Sequence, residues 1–421
     1  MRLVDGEGRV RVLRGVNLSG RSKQPPFVPV SSPEQLDPLP KWGFNVVRLL
    51  LTWEGVEPAE GEYDEAYLDR MVELAEQAHE RGLFVLVDMH QDIFARTFGG
   101  DGAPGWVAGE TEPPPPDRQW FLRYFTSAKV RRAQREFWTD RRGHRTRFLG
   151  ALRRVMERMR DVEGVIGYDP WNEPMSGLRH VVSGWFERKI LTEFYAECGR
   201  LRDEVDPMRL IFAEPTPLAA LGAPSFLRLP EHDGFVYAPH IYDSGAITLG
   251  RYAPAVSTFP RTLVHHLEVA ERMQVPLFIG EFGVLNWVRG GKQMLEHECR
   301  MFDRHFVSWS VWHYNPSEQD WNDENASFVE PDASARPWAE PLFRPYPAAL
   351  AGHPDAWESK DGETWTLDYR ATAGGTTELV VPGAWSASPE PEIDGAEHEW
   401  RGDRLLIRAP TGGRVRVALH R

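Results

Sequence analysis

Short apolar runs bounded by Gly, Pro and acidic residues alternate with stretches of helical period through most of this chain. The runs Val12 to Gly15, Asn45 to Trp53, Leu83 to His90, Val165 to Glu173, Leu210 to Glu214, Phe235 to Tyr242, Pro276 to Glu281 and Phe306 to Tyr314 have the length and composition of buried strands. Between several of them, apolar positions recur three and four residues apart: Tyr67 to Arg81, Arg147 to Arg160, Trp185 to Val205, Arg261 to Met273 and Gln293 to Arg304. Strand alternating with helix predicts a parallel sheet, and eight such units close into a (β/α)8 barrel of the α/β class. In such barrels chemistry collects at the carboxyl ends of the strands, which singles out Arg48, His90, Asn172, Glu173, His240, Tyr242, Glu281 and Trp312.

After Tyr346-Pro347 the helical period stops. Short β-rich runs follow at Thr364 to Tyr369, Thr377 to Val381, Arg404 to Ile407 and Arg414 to Leu419, separated by Gly, Pro, Asp and Ser. This texture predicts a small antiparallel β-sandwich, dividing the chain into a barrel over 1–346 and a sandwich over 347–421. Its expected role is packing against the barrel, with carbohydrate binding the alternative. One connection departs from the pattern: residues 91–145 are far more than the usual two to about six residues of a βα loop. The segment carries Trp106, Trp120, Phe121, Tyr124, Phe125, Phe137 and Trp138, and an aromatic insertion at a barrel's active face predicts a wall or lid with an apolar side.

Composition narrows the partners. The 421 residues hold 49 basic and 62 acidic side chains, a net charge of −13, which argues against nucleic acid. Cys198 and Cys299 have no paired-ligand spacing, so free thiols are expected, with no zinc and no disulfide framework. No metal or cofactor is called for. The start, Met1 to Asp5, enters charged sequence with no apolar signal core, and no run reaches the ~18 apolar residues of a membrane span. A cytoplasmic protein is therefore expected, or a secreted one if a leader was trimmed. Lys129, Arg131, Arg132, Arg135, Arg141, Arg142, Arg145 and Arg147 concentrate positive charge within and just after the insertion. A solvated helix face paired with local acids is the expected reading, and transient contact with an anionic membrane surface is the alternative.

The chemistry rests on Trp171-Asn172-Glu173-Pro174 and Gly280-Glu281-Phe282-Gly283, each placing a glutamate where a strand ends. Two carboxyls facing each other across a cleft are what glycosidic hydrolysis requires. Sugar rings stack on aromatic faces, and Trp138 and Trp312, with Trp53 or Trp287, are the aromatics assigned to the site. Asp88 is assigned to structure. Glu214, in Ala213-Glu214-Pro215, is a third carboxylate at the same face and is set outside the chemistry.

With Asp88-Met89-His90-Gln91-Asp92, Asn172-Glu173-Pro174, His240-Ile241-Tyr242, Gly280-Glu281-Phe282-Gly283, Ser22-Lys23 and Phe137-Trp138 in view, the chain resembles glycoside hydrolase family 5, and within it the endoglycoceramidase-like group. The likeness spans barrel and tail. It implies a retaining mechanism with Glu173 as acid/base and Glu281 as nucleophile. It also implies that Asn172 bonds the sugar's 2-hydroxyl, Arg48 and Tyr242 hold the nucleophile, His240 neighbours the acid/base and Trp312 floors the sugar site. Lys23, His90, Asp92 and Trp138 are implied to line the subsite of the terminal or ceramide-linked sugar. The substrate implied is a glycoside or glycolipid, such as glucosylceramide, a steryl glucoside or an oligosaccharyl ceramide. After the eighth strand, Trp312-His313-Tyr314-Asn315-Pro316 and Trp321-Asn322-Asp323-Glu324-Asn325 look more like the fungal glucosylceramide and steryl-glucoside hydrolases, which remove one sugar. An endo-acting polysaccharide hydrolase, a general aryl or alkyl β-glucosidase and a non-catalytic sugar-binding barrel are the alternatives, and the last would need a missing catalytic group.

Overall fold

A computed structural model describes every residue except 231–233, 361, 373–374 and 387–389. Eight parallel strands form the barrel: β1 (Arg14–Leu18), β2 (Val46–Thr52), β3 (Phe84–His90), β4 (Val165–Asp169), β5 (Leu210–Ala213), β6 (Phe235–Tyr237), β7 (Phe278–Ile279) and β8 (Ser308–Tyr314). The hydrogen-bonded order is β6-β5-β4-β3-β2-β1-β8-β7, and a parallel bridge between Tyr237 and Leu277 closes the ring. Seven of the expected runs contain one of these strands, and the first, Val12 to Gly15, overlaps β1 only at Arg14 and Gly15, the strand continuing to Leu18.

Alternation along the strands explains how a fully buried segment carries polar chemistry. In β2, Val47, Leu49 and Leu51 pack outward under the helices, while Val46 joins a plug of Leu13, Leu86, Phe212, Val236 and Phe278 inside the barrel. Two residues on from Val46, on the same inward face, comes Arg48, and then Leu50 against Trp312. β3 repeats the scheme, with Val85, Val87 and Met89 outside and Leu86, Asp88 and His90 inside. The helix Glu65–Glu80 shows why the layer outside forms. Asp64 caps its first turn by accepting from the Tyr67 N–H at 2.9 Å, and Tyr67, Leu68, Met71, Leu74, Ala75 and Ala78 make one buried stripe.

The tail is two antiparallel sheets around a core that includes Trp357, Trp365, Leu367, Tyr369, Leu405 and Val417. One boundary differs from the expected one. The N-terminal pair Val10–Arg11 hydrogen-bonds to Tyr346–Leu350, so the first residues of the chain belong to the tail's five-stranded sheet, not to the barrel. The tail also has more strands than the sequence showed, among them Gly352–Lys360, which contains Pro354, and Glu397–Arg401, whose five residues are all exposed. Neither offers the apolar alternation that marks a strand. A buried ionic knot joins the two parts: Asp303 accepts from Arg344 Nε at 2.9 Å and Nη2 at 2.8 Å and also from Arg14, whose guanidinium lies 4.5 Å from the Tyr346 ring and 4.8 Å from that of Trp357. Among the described residues no helix is long and apolar enough to cross a membrane.

Candidate active site

The site is organised around Arg48, whose side chain is fully buried inside the barrel. Nη1 donates to Asn17 at 3.0 Å and to Glu281 at 3.1 Å; Nη2 donates to Asp169 at 2.8 Å and to Asn172 and Glu214 at 2.9 Å each. Asp88 lies 3.0 Å from the same nitrogen. Burial alone would weaken the guanidinium's hold on its proton, but Asp88, Asp169, Glu214 and Glu281 outweigh it and raise the pKa well above the usual value.

Glu281 is held from both sides. The Tyr242 hydroxyl donates to Oε2 at 2.8 Å while Arg48 holds Oε1. The glycines flanking its motif answer to close approach: a Cβ on Gly280 would meet the His240 ring at 3.0 Å, and one on Gly283 the Trp312 carbonyl oxygen at 2.4 Å. Glu173 faces Glu281 across the barrel mouth, with His240 Nδ1 3.0 Å from Glu173 Oε1 and 3.4 Å from Glu281 Oε2. One carboxyl oxygen of Glu173, one of Glu281 and a ring nitrogen of His240 lie within 4.8 Å of one another, so the two carboxyls stand close together across the mouth, the arrangement a retaining mechanism uses. Burial raises the pKa of Glu173; His240 opposes the shift, while Glu281 and Asp92 add to it. Burial would lower that of His240, but the carboxylates of Glu214 and Glu281 and hydrogen bonds to Glu173 and Glu214 raise it well above the usual histidine range. The arrangement pairs a carboxyl inclined to keep a proton with a carboxylate held for attack.

Lys23, His90 and Asp92 form a second polar cluster beside the first. The Lys23 ammonium pairs with Asp92, lies 3.9 Å from Asp101, and sits 4.4 Å from the Trp312 ring centroid and 3.9 Å from that of Trp321. His90 donates from Nδ1 to Asp88 at 2.7 Å and stacks on Trp312 with centroids 5.5 Å apart. Burial opposes its charge, yet Asp88 pushes its pKa up to about 10. His90, Asp92 and Asp101 have the spacing of a cation site, and the lysine ammonium, paired with Asp92, stands beside it as the local positive charge.

Both clusters open into one cavity of about 760 Å³. Its polar end holds Lys23, His90, Asp92, Glu173, Glu281 and Glu324; Trp120, Phe121, Phe125, Leu218, Ile247 and Trp287 supply an apolar wall. Trp312 lines it as well. Of the assigned residues, Asn172 is not on the wall: its amide donates to the Gln91 carbonyl at 3.0 Å and accepts from Arg48, placing it in the supporting frame. Trp138 does not line the cavity either. The helix Ala128–Trp138 turns Val130, Phe137 and Trp138 into the core, where the Trp138 N–H donates to the Met175 carbonyl at 2.7 Å and its ring abuts Phe186 and Phe194. Trp53 is buried, and Trp106 packs on it with centroids 5.4 Å apart, away from the wall. The basic run is in part locally neutralised, with Arg132 and Arg142 on Glu136, Arg145 on Glu197 and Arg147 on Glu60.

Two acids left out of the sequence assignment are in the site. Glu214, set aside as a bystander, is buried: its Oε2 accepts from the Glu173 N–H at 2.8 Å and its Oε1 lies 3.1 Å from His240 Nε2. Glu324 lines the polar end, where burial, opposed by Lys23, raises its pKa to about 7. Its position in the connection after β8, at the active face of the barrel, is the signal that could have marked it.

A closed (β/α)8 barrel with paired glutamates at the ends of β4 and β7 is the framework of a retaining glycosidase. The chain belongs to glycosyl hydrolase family 5: the family model described as cellulase (glycosyl hydrolase family 5) matches residues 5–318. Endoglycoceramidase I of Rhodococcus hoagii (strain 103S) is 31% identical over 404 residues, 89% of this chain and 76% of that protein. Glucosylceramidase of Rhizopus delemar is 30% identical over 278 residues, 51% of this chain and 38% of that protein. Among solved structures, endo-glycoceramidase II from Rhodococcus sp. in its ganglioside GM3 complex superposes with a TM-score of 0.87 at 26% identity, covering 100% of this chain and 99% of that one.

Proposed function

We propose that the protein hydrolyses the β-linkage between a glucosyl or galactosyl headgroup and a hydrophobic aglycone, with Glu281 as nucleophile and Glu173 as acid/base. In the first step the Glu281 carboxylate attacks the anomeric carbon from the face opposite the leaving group, forming a glycosyl ester, while Glu173 gives its proton to the departing oxygen. In the second, Glu173, now ionised, takes a proton from water as that water attacks the same carbon and Glu281 leaves as carboxylate. Two displacements restore the β configuration.

The observation that carries the aglycone is the cavity's division into a charged end and an apolar wall, with Phe121, Leu221 and Trp287 more than two-fifths exposed at its rim. A polysaccharide would need polar partners along an open groove. The names of the relatives support the same class of substrate. A lipid headgroup is presented by a surface, so transient contact of this rim with a membrane belongs to the proposal. One panel tests it: glucosylceramide in vesicles, a lactosyl lipid, an aryl β-glucoside and carboxymethylcellulose. Faster cleavage of β-1,4-glucan or mannan than of any alkyl or ceramide glycoside would replace the lipid reading with the polysaccharide one.

A second reading concerns glycone length. Trp321, buried over Lys23, contacts Trp120 edge to face with centroids 5.0 Å apart, so that it backs the cavity where the polar end meets the wall that Trp120 lines. This favours removal of a single sugar. Release of an intact disaccharide from an aryl β-lactoside at the rate of glucose release from the aryl β-glucoside would show endo action instead.

A further inference from the structure

Among the described residues four carboxyls line the cavity, and the protein itself answers three of them. The Lys23 ammonium pairs with Asp92, Arg48 and the Tyr242 hydroxyl donate to Glu281, and His240 Nδ1 stands 3.0 Å from Glu173. Glu324 has no such partner. Lys23 acts on it only from a distance, its ammonium being engaged by Asp92 and Asp101, and the Trp312 indole N–H lies on its side too loosely to complete a hydrogen bond. The turn that presents Glu324 is nonetheless held from several sides. Asn322, Asp323 and Asn325 have φ of 53°, 53° and 45°, left-handed conformations that residues other than glycine seldom adopt. Asp320 accepts from the Asn325 N–H at 3.0 Å, Arg336 donates to Asn325 Oδ1 at 3.0 Å, Arg118 Nε donates to the Asp323 carbonyl at 3.0 Å, and the Asn322 amide donates to the Gly99 carbonyl at 2.8 Å. Strain fixed in this way around one unanswered carboxyl leaves a place for a partner the protein does not supply.

The place of that partner follows from the barrel. The bond to be cut lies beside Glu173, after β4, and β8 stands opposite β4 in the ring of strands. Glu324, in the connection after β8, therefore faces the edge of the glycone farthest from the scissile oxygen, and in a pyranose ring that edge is C4, directly across from the anomeric carbon. A carboxylate only accepts hydrogen bonds, and a free 4-hydroxyl has one to give. We propose that Glu324 reads the glycone by accepting from its 4-hydroxyl, and that in doing so it selects a terminal, unsubstituted sugar. When O4 carries a second sugar it has no hydrogen left, and the carboxylate is desolvated with nothing in return, a mismatch that costs more than a lost apolar contact. The proposal rests on the β-glycosidase reading above and deepens it: single-sugar action comes from a hydrogen-bond requirement at Glu324 as well as from the Trp321 backing.

Its test is separable from that reading. The measurement is kcat/KM of the wild type, Glu324→Gln and Glu324→Ala on 4-nitrophenyl β-glucoside, on its 4-deoxy and 6-deoxy analogues, and on 4-nitrophenyl β-lactoside, whose glucose carries galactose on O4. The Ala variant should lose about ten- to a hundredfold on the glucoside and on the 6-deoxyglucoside, the range of one hydrogen bond to a charged acceptor. On the 4-deoxyglucoside, which cannot make that bond and is poorer to the same degree with the wild type, the variant should stay within about threefold of the wild type. The lactoside, equally unable to donate from O4, should also stay within about threefold, so that the ratio of lactoside to glucoside rises. Glu324→Gln keeps a neutral acceptor and should show the same pattern with smaller losses, and its nearly unchanged shape carries the test if the Ala variant does not fold. A loss shared equally by the glucoside and the 4-deoxyglucoside, or a wild type that cuts the lactoside as fast as the glucoside, would overturn the inference and leave the β-glycosidase reading standing. A wild type that cuts none of these glycosides would overturn both.

Discussion

Replacing Tyr242 by phenylalanine removes one oxygen from a side chain that lines the cavity, and the geometry says where the loss falls. The hydroxyl donates to Glu281 Oε2 at 2.8 Å; without it that oxygen keeps His240 Nδ1, longer at 3.4 Å, while Oε1 retains Arg48 at 3.1 Å. A hydrogen bond to a charged acceptor contributes about 1.5–3 kcal/mol. In the glycosyl ester Glu281 has lost its charge, so the bond is weak there and strengthens again as the carboxylate departs in the second step. The variant should therefore lose most in deglycosylation. At about 1.4 kcal/mol per tenfold, kcat on an activated aryl β-glucoside should fall roughly ten- to hundredfold. KM should fall with it, because the ester accumulates. Rapid-mixing measurements should show a phenol burst approaching one equivalent of enzyme, larger than in the wild type, with the melting temperature little changed. A kcat within twofold of wild type, or a loss confined to KM, would mean that Tyr242 does not stabilise the departing carboxylate.

Glu281→Gln, nearly isosteric but unable to attack as a carboxylate, should lose several powers of ten in turnover and keep its fold. Glu281→Gly with azide should give the α-glycosyl azide, and a β-azide would remove Glu281 from its role. Trp120→Ala, which strips the cavity wall, should cost hydrophobic-aglycone substrates about 1–2 kcal/mol of kcat/KM at ~25 cal/mol per Å² of lost apolar contact. Trp106→Ala should lower the melting temperature and leave the preference among aglycones unchanged, since its indole donates to the Glu57 carbonyl and packs on Trp53 instead. His313, buried with no hydrogen-bond partner on either ring nitrogen among the described residues, has its pKa pushed down to about 3 by burial. A depressed histidine contributes stability that is present above its unfolded value, near 6.5, and lost as pH falls toward 3. His313→Phe should flatten the fall of melting temperature over that range, and an unchanged acid limb would show that His313 is charged in the fold.

Which of these residues the sequence discloses follows from how far each contact reaches along the chain. His90, Glu173 and Glu281 were legible because each stands at or just past the carboxyl end of an apolar strand, where barrel topology gathers the chemistry; Arg48 lies within β2 instead, and strand alternation turns it into the barrel. Trp312, on the inward face of β8, was legible for the same reason. The insertion was legible as a wall but not residue by residue. Trp120 and Phe121 reach the cavity, whereas Trp106 and Trp138, equally aromatic and close in sequence, face the core, because which side of a short helix is inward depends on neighbours the local pattern does not contain. The exposed strand Glu397–Arg401 was missed because pairing, not apolar alternation, makes it a strand.

Glu214 shows the limit most clearly. Sequence placed it at the correct face and, finding no motif, set it aside, yet motif and function part where a residue acts through others. Its partners come from β2, from the turn after β4 and from the loop after β6, so no local run could mark it. What identifies it is that a buried carboxylate must be answered by donors, and here those donors are Arg48, which also holds Glu281, the backbone of Glu173, and His240, which stands between the two. A charge at that junction touches the frame of both glutamates at once, and only the closed barrel, not any local run of residues, brings those partners together.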